Sequence, residues 1–173
     1  AGGRQFMKFL TRTPTLIALF ILQGLIFLGF GPFVNGVGGT FLDTLMTGEE
    51  SRTVIAAMSS GQRWTHFWVT LLLDTLYPIA YGAFFVGMAL RFFGKLRYLA
   101  AVPAFAGAIV DLAENVVQAL ALSGAVDLLD AKDWLTPLKF GLFAVAGVIA
   151  VIGFLIGVAH MFTNQKASSL IAQ

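Results

Sequence analysis

Asp74, Asp111 and Glu114 stand inside stretches that are otherwise almost wholly apolar: LLLDTLYPIAYG at 71–82, and the run that contains DLAEN at 111–115. A carboxylate carried into the hydrocarbon of a bilayer costs roughly 2.5–3.5 kcal/mol on insertion scales, so it is ordinarily turned inward and has a task. Three tasks suit carboxylates in such a place. They can pass a proton as general acid or base, hold a hard cation through oxygen, or pair with an amine.

Spacing groups these residues with others. Phe67, Thr70, Asp74, Tyr77, Pro78 and Tyr81 recur at three and four residues and share one helix face; Gly107, Asp111, Glu114, Asn115 and Gln118 do the same on the next helix. Lys139 on a later apolar run and Gln23 on the first add a cation and an amide. At about 1.5 Å per residue, Asp74 lies ~15 Å below the outer end of its helix, Asp111 ~18 Å, Glu114 ~13 Å, Gln23 ~16 Å and Lys139 ~8 Å. One polar slab in the outer half of a bundle is therefore expected, with Gln23, Asp74, Tyr77, Tyr81, Asp111, Glu114, Asn115, Gln118 and Lys139 as its ligand-binding candidates. Within it, Asp111, Glu114 and Asp74 are the candidates for catalysis, and Asp74, Asp111 and Glu114 those for a metal. No spacing specifies a particular ion, and no motif implies a cofactor.

Two physical features sharpen the slab. If every group is ionised, the three carboxylates and Lys139 carry a net −2, which a dry interior does not tolerate; protons, a cation or a cationic ligand must compensate. Pro78 has no N–H to give to the carbonyl four residues earlier, which belongs to Asp74. In a membrane that freed oxygen needs a side chain, a neighbouring helix or water.

The elements that must position these groups follow from composition. The chain is 58% hydrophobic and 12% charged, with a mean hydropathy of +0.84, far from the ~25% charged content of soluble domains. Apolar runs of about 20 residues, enough to cross the hydrocarbon, fall at 15–34, 64–90, 98–123 and 134–162. An all-α, polytopic four-helix membrane bundle is expected. Residues 7–173 read as its single domain, and residues 1–6, AGGRQF, as a tag remnant ahead of Met7. The first apolar run is longer than a signal-peptide core and is expected to persist as a span.

Arg4, Lys8, Arg12, Arg91, Lys95, Arg97 and Lys166 flank the spans on one side, and Arg52, Arg63 and Lys132 on the other. The positive-inside rule puts both termini in the cytoplasm, as of a bacterial inner membrane. On the outer side, residues 35–63 contain TFLDTLM and SRTVIAAM, two short amphipathic segments suited to the interface, in a loop that reads as a connector or a lid. Asp127, Asp130 and Asp133 read as solvated, with Asp133 as helix N-cap. Ala146, Ala150, Gly153 and Gly157 form a small-residue face on the fourth span that suits a second copy or a membrane partner.

Other chemistries lack their residues. There is no cysteine for a disulfide, a thiolate ligand or a nucleophile. His66 and His160 fall at opposite ends of the spans and cannot share a metal. Ser60 and Ser123 have no evident histidine partner, phosphate loops and dinucleotide fingerprints are missing, and a formal charge of +2 offers no nucleic-acid surface.

The pair DTLYPIAYG and DLAEN resembles a pattern of small uncharacterised four-span bacterial membrane proteins, a resemblance that covers the second and third spans and implies no activity. Three function classes fit the residues. The first is a module that binds or moves a proton, a cation or an amine-bearing or lipophilic ligand. The second is a membrane enzyme acting on a lipid or isoprenoid by carboxylate acid/base chemistry, and the third an accessory or assembly subunit.

Overall fold

The computed structural model describes residues 2–171, and every regular element among them is helical. In chain order these are α1 (Gly2–Leu10), α2 (Thr13–Gly29), α3 (Gly48–Ala57), α4 (Ser60–Trp68), α5 (Thr75–Phe92), α6 (Arg97–Ser123) and α7 (Lys132–Ile171). A π-helical stretch, Val69–Asp74, joins α4 to α5 without a break. Four helical segments are long and apolar enough to cross a membrane: Thr13–Phe33, Ser60–Phe92, Gly94–Ser123 and Leu129–His160. Their outward surfaces are apolar, as at Phe20, Leu28, Leu99, Val102 and Val148, and most of the acids are inside or at the outer loops.

The helices α5, α6 and α7 pack on one another, and α5 with α6 is the most extensive pair, as the short connection Phe93–Leu96 requires. Small residues let them close: a Cβ on Gly82 of α5 would fall 2.9 Å from Ala108 Cβ of α6. Helix α2 lies chiefly against α5, placing Leu16 with Met88 and Ala150 and setting Phe27 and Phe30 around Tyr77.

The Gly153/Gly157 face of α7, expected to meet a partner, receives a side chain of its own chain. Phe92 occupies it so closely that a Cβ on Gly157 would come within 2.7 Å of the ring. The face is smooth because α5 ends there with a large aromatic.

The loop expected on the outer side, at 35–63, is folded onto the bundle. Its two expected segments are a 3₁₀ turn, Leu42–Thr44, and α3, whose N-terminus carries a capping box between Thr47 and Glu50. Rather than lying free along the interface, α3 abuts the second outer loop so tightly that a Cβ on Gly48 would fall 2.4 Å from Leu129 O. Asp133 does not cap α7, which begins one residue earlier at Lys132. Its Oδ1 instead accepts the Gly48 N–H at 2.8 Å.

Candidate functional site: a buried carboxylate and lysine cluster

The proline of α5 organises the first wall of the site. The carbonyl of Asp74 that Pro78 cannot reach accepts a hydrogen bond from Asn115 Nδ2 of α6 at 2.9 Å. The hydroxyl of Thr75 reaches back to Thr70 O at 3.0 Å. A π turn immediately before a proline leaves several carbonyls without helical donors, and these side chains supply them. Thr70, Asp74, Pro78 and Tyr81 are all buried on this wall.

The facing stripe of α6 is buried at every expected position: Gly107, Asp111, Glu114, Asn115 and Gln118. Tyr81 O–H donates to Asp111 Oδ2 at 2.9 Å, tying the two walls together. Glu114, with no exposed surface, is the hub. Its Oε1 accepts from Thr136 Oγ1 at 2.7 Å, from Gln118 Nε2 at 3.2 Å and from the Lys132 ammonium. Its Oε2 lies 2.8 Å from Lys139 Nζ.

Lys132 is therefore no outer-loop charge. It is completely buried, and its ammonium is shared between Glu114 and the carbonyl of Leu42 at 3.0 Å. The signal was available in the sequence, because Lys132, Thr136 and Lys139 are spaced four and three apart and so extend one face of the fourth helix outward. The apolar span begins later, which is why the face was cut short.

Lys139 sits among three carboxylates: it is paired with Asp43, is 2.8 Å from Glu114 Oε2 and is 3.6 Å from Asp111 Oδ1. Asp43 comes from the outer loop and has no periodic signal, so only the tertiary fold reveals it. Asp43, Asp111 and Glu114 can each bring one oxygen within 4.8 Å of the others, close enough for one metal ion. This set differs from the sequence candidates by exchanging Asp74 for Asp43. The Lys139 ammonium lies among these oxygens, so a cation that binds there would displace it.

Leu42 pins the loop through both of its backbone groups. Leu42 is fully buried; its N–H donates to His66 Nε2 at 3.3 Å while its carbonyl accepts from Lys132. His66 must then carry its proton on Nδ1. Further out, Arg52 of α3 grips the second outer loop through Asp127 at 2.7 Å and Asp130 at 2.8 Å. Donating to the Asp127 and Asp130 carboxylates raises the Arg52 pKa above its usual value, and the hydrogen bonds that Asp127 accepts from Arg52 and the Leu129 N–H lower its own.

Asp74, Asp111, Glu114, Asn115, Gln118, Tyr81 and Lys139 thus meet, directly or through Asp43 and Lys132. Asp74 brings its carbonyl to Asn115, and its buried carboxylate lies near those of Asp43 and Asp111. Tyr77 contributes its ring, packed against Tyr81, Phe27 and Phe30. Gln23 is half-buried on α2 and joins none of these hydrogen bonds among the described residues.

These features define the class: an all-helical bundle with four segments able to span a membrane and a buried, loop-capped ion-pair cluster. Comparison with protein-family models, with curated proteins and with solved structures finds no match for this chain.

Proposed function

We propose that this chain binds protons, and in exchange for them a cation or a protonated amine, in the cluster beneath its outer loop. Charge balance carries the reading. Among the described residues, Asp43, Asp74, Asp111 and Glu114 face two ammonium groups, those of Lys132 and Lys139. With all six ionised the interior would hold two uncompensated negative charges, and charge at low dielectric is neutralised by protons or by a counter-ion. The ammonium of Lys139, seated among three carboxylates, has the donor set of a primary amine and marks the ligand chemistry such a place accepts. Asp43, with its side chain 27% exposed, supplies the route to the outer side.

Infrared difference titration of the protein in nanodiscs tests the proposal. Protonated carboxyl bands are expected at neutral pH, with one removed in Asp74→Asn and one shifted in Asp111→Asn, and with ethylamine or a divalent cation displacing protons from the wild type. Fully ionised carboxylates with neither ion nor amine bound would refute it. A second reading has its own support in Glu114, whose Oε1 accepts from three side chains and whose Oε2 lies 2.8 Å from Lys139 Nζ: the cluster sets helix register in an assembly subunit. In that case Asp74→Asn leaves proton and amine binding unchanged.

A further inference from the structure

All nine acidic residues of the chain lie between positions 43 and 133, in the outer loops or the buried cluster. The opposite end of the bundle carries Lys8, Arg12, Arg91, Lys95 and Arg97 with no carboxylate partner among the described residues. Three of these cations converge. A cleft of about 390 Å³ between α1, the end of α5 and the start of α6 is lined by Lys8, Thr11, Arg91, Arg97 and Tyr98.

The two arginines are held in place rather than free. Arg91 Nη1 donates to Thr11 O at 3.2 Å and to Thr13 Oγ1 at 2.8 Å. Arg97 lies 4.8 Å from the centre of the Tyr98 ring and donates from Nη2 to its hydroxyl at 3.3 Å. A guanidinium has five N–H donors, so each keeps several for a ligand, arranged in a fork that suits phosphate oxygens. Leu99 and Val102, the next exposed positions of α6, are 70% and 55% exposed and extend an apolar surface away from the cleft.

We propose that this cleft binds the phosphate of an anionic phospholipid, with the acyl chains along α6. The inference is independent of the reading of the acidic cluster. Positive charge that merely orients a chain needs no shared cavity and no immobilised guanidinium; here three cations, a tyrosine at the interface and an adjoining apolar strip coincide, as basic pockets between helices do for lipid headgroups.

Native mass spectrometry of the detergent-solubilised protein provides the test, with phosphatidylglycerol, phosphatidylcholine and inorganic phosphate as separate probes. A saturable adduct with phosphatidylglycerol and none with phosphatidylcholine is expected. Arg97→Gln, which supports only Tyr98, should weaken it roughly fivefold, as should Lys8→Gln; Arg52→Gln at the far end should not. Arg91→Gln is less informative alone because it also releases Thr11 and Thr13. Equal binding of both lipids, or phosphatidylglycerol binding that Arg97→Gln and Lys8→Gln leave intact, would overturn the proposal. Inorganic phosphate that binds as tightly as the lipid would overturn the lipid assignment as well.

Discussion

Lys132 and Glu114 show what burial does to the value of one residue. Each has no exposed surface, and Glu114 Oε1 alone serves Lys132, Thr136 and Gln118. Lys132→Met is expected to destabilise the protein by about 3–5 kcal/mol, because it leaves Glu114 short of its closest counter-charge and Leu42 O without a donor. Thermal unfolding in detergent measures this. Asp74→Asn should cost far less in the same assay, since its carboxylate makes none of the ion pairs among the described residues. If the two variants unfold alike, the hierarchy within the cluster is wrong.

At the scale of the element, the π-helical stretch before α5 and the loop at 35–63 each rest on a small number of bonds. Asn115→Leu should cost about 1–3 kcal/mol by stranding the Asp74 carbonyl. Pro78→Ala restores a backbone donor to that same oxygen and relieves up to ~3 kcal/mol of helix penalty, so it should be neutral or stabilising. Because both changes act on one acceptor, the double variant should be markedly less damaged than the sum of the singles. Additive values in a double-mutant cycle would show that Pro78 and Asn115 are uncoupled.

The loop has its own pH dependence. The folded-state pKa of Asp127 is depressed, so the contribution of its bond to Arg52 is fully present above the ordinary value of 3.8 and is lost as pH falls through the lower folded value. The mobility of a spin label carried at position 46, read by electron paramagnetic resonance, should therefore be low and flat through neutral pH and rise only under strong acid. Arg52→Gln should raise it severalfold and abolish that acid rise, and a wild-type loop that opens near neutral pH would exclude this latch.

Across the whole molecule the acids gather in the cluster and in the loops above it, whereas the cations at the other end make no ion pair among the described residues. With Lys132 removed into the core, the remaining outer cations outside the cluster are Arg52 and Arg63, the latter spent on the carbonyls of Ala121 and Leu122. The expected topology therefore has positions 95 and 166 inside and the loops at 35–63 and 124–133 outside. The absence of native cysteine makes accessibility labelling unambiguous. Lys95→Cys should react only after permeabilisation and Val126→Cys before it; the reverse pattern would invert the protein.

Sequence alone determined the helical class, the four apolar segments to within a few residues, and the two polar faces of the second and third spans. Each of these is local: hydropathy summed along one segment, or side chains brought to one face by a repeat of 3.6 residues, needs no knowledge of a partner. It also placed the orphan carbonyl of Asp74, because proline acts on its own helix. The identity of the group that answers that carbonyl, Asn115, required the rotation of α6 against α5. Asp43 and Leu42 enter the cluster from a loop with no period, and Gln23 lies on a helix whose orientation its many apolar neighbours decide. Only the tertiary structure could bring a loop aspartate to Lys139, bury Lys132 against Glu114 and close the Gly157 face with Phe92, since each of these contacts joins residues far apart in the chain whose meeting depends on how the helices and loops pack together.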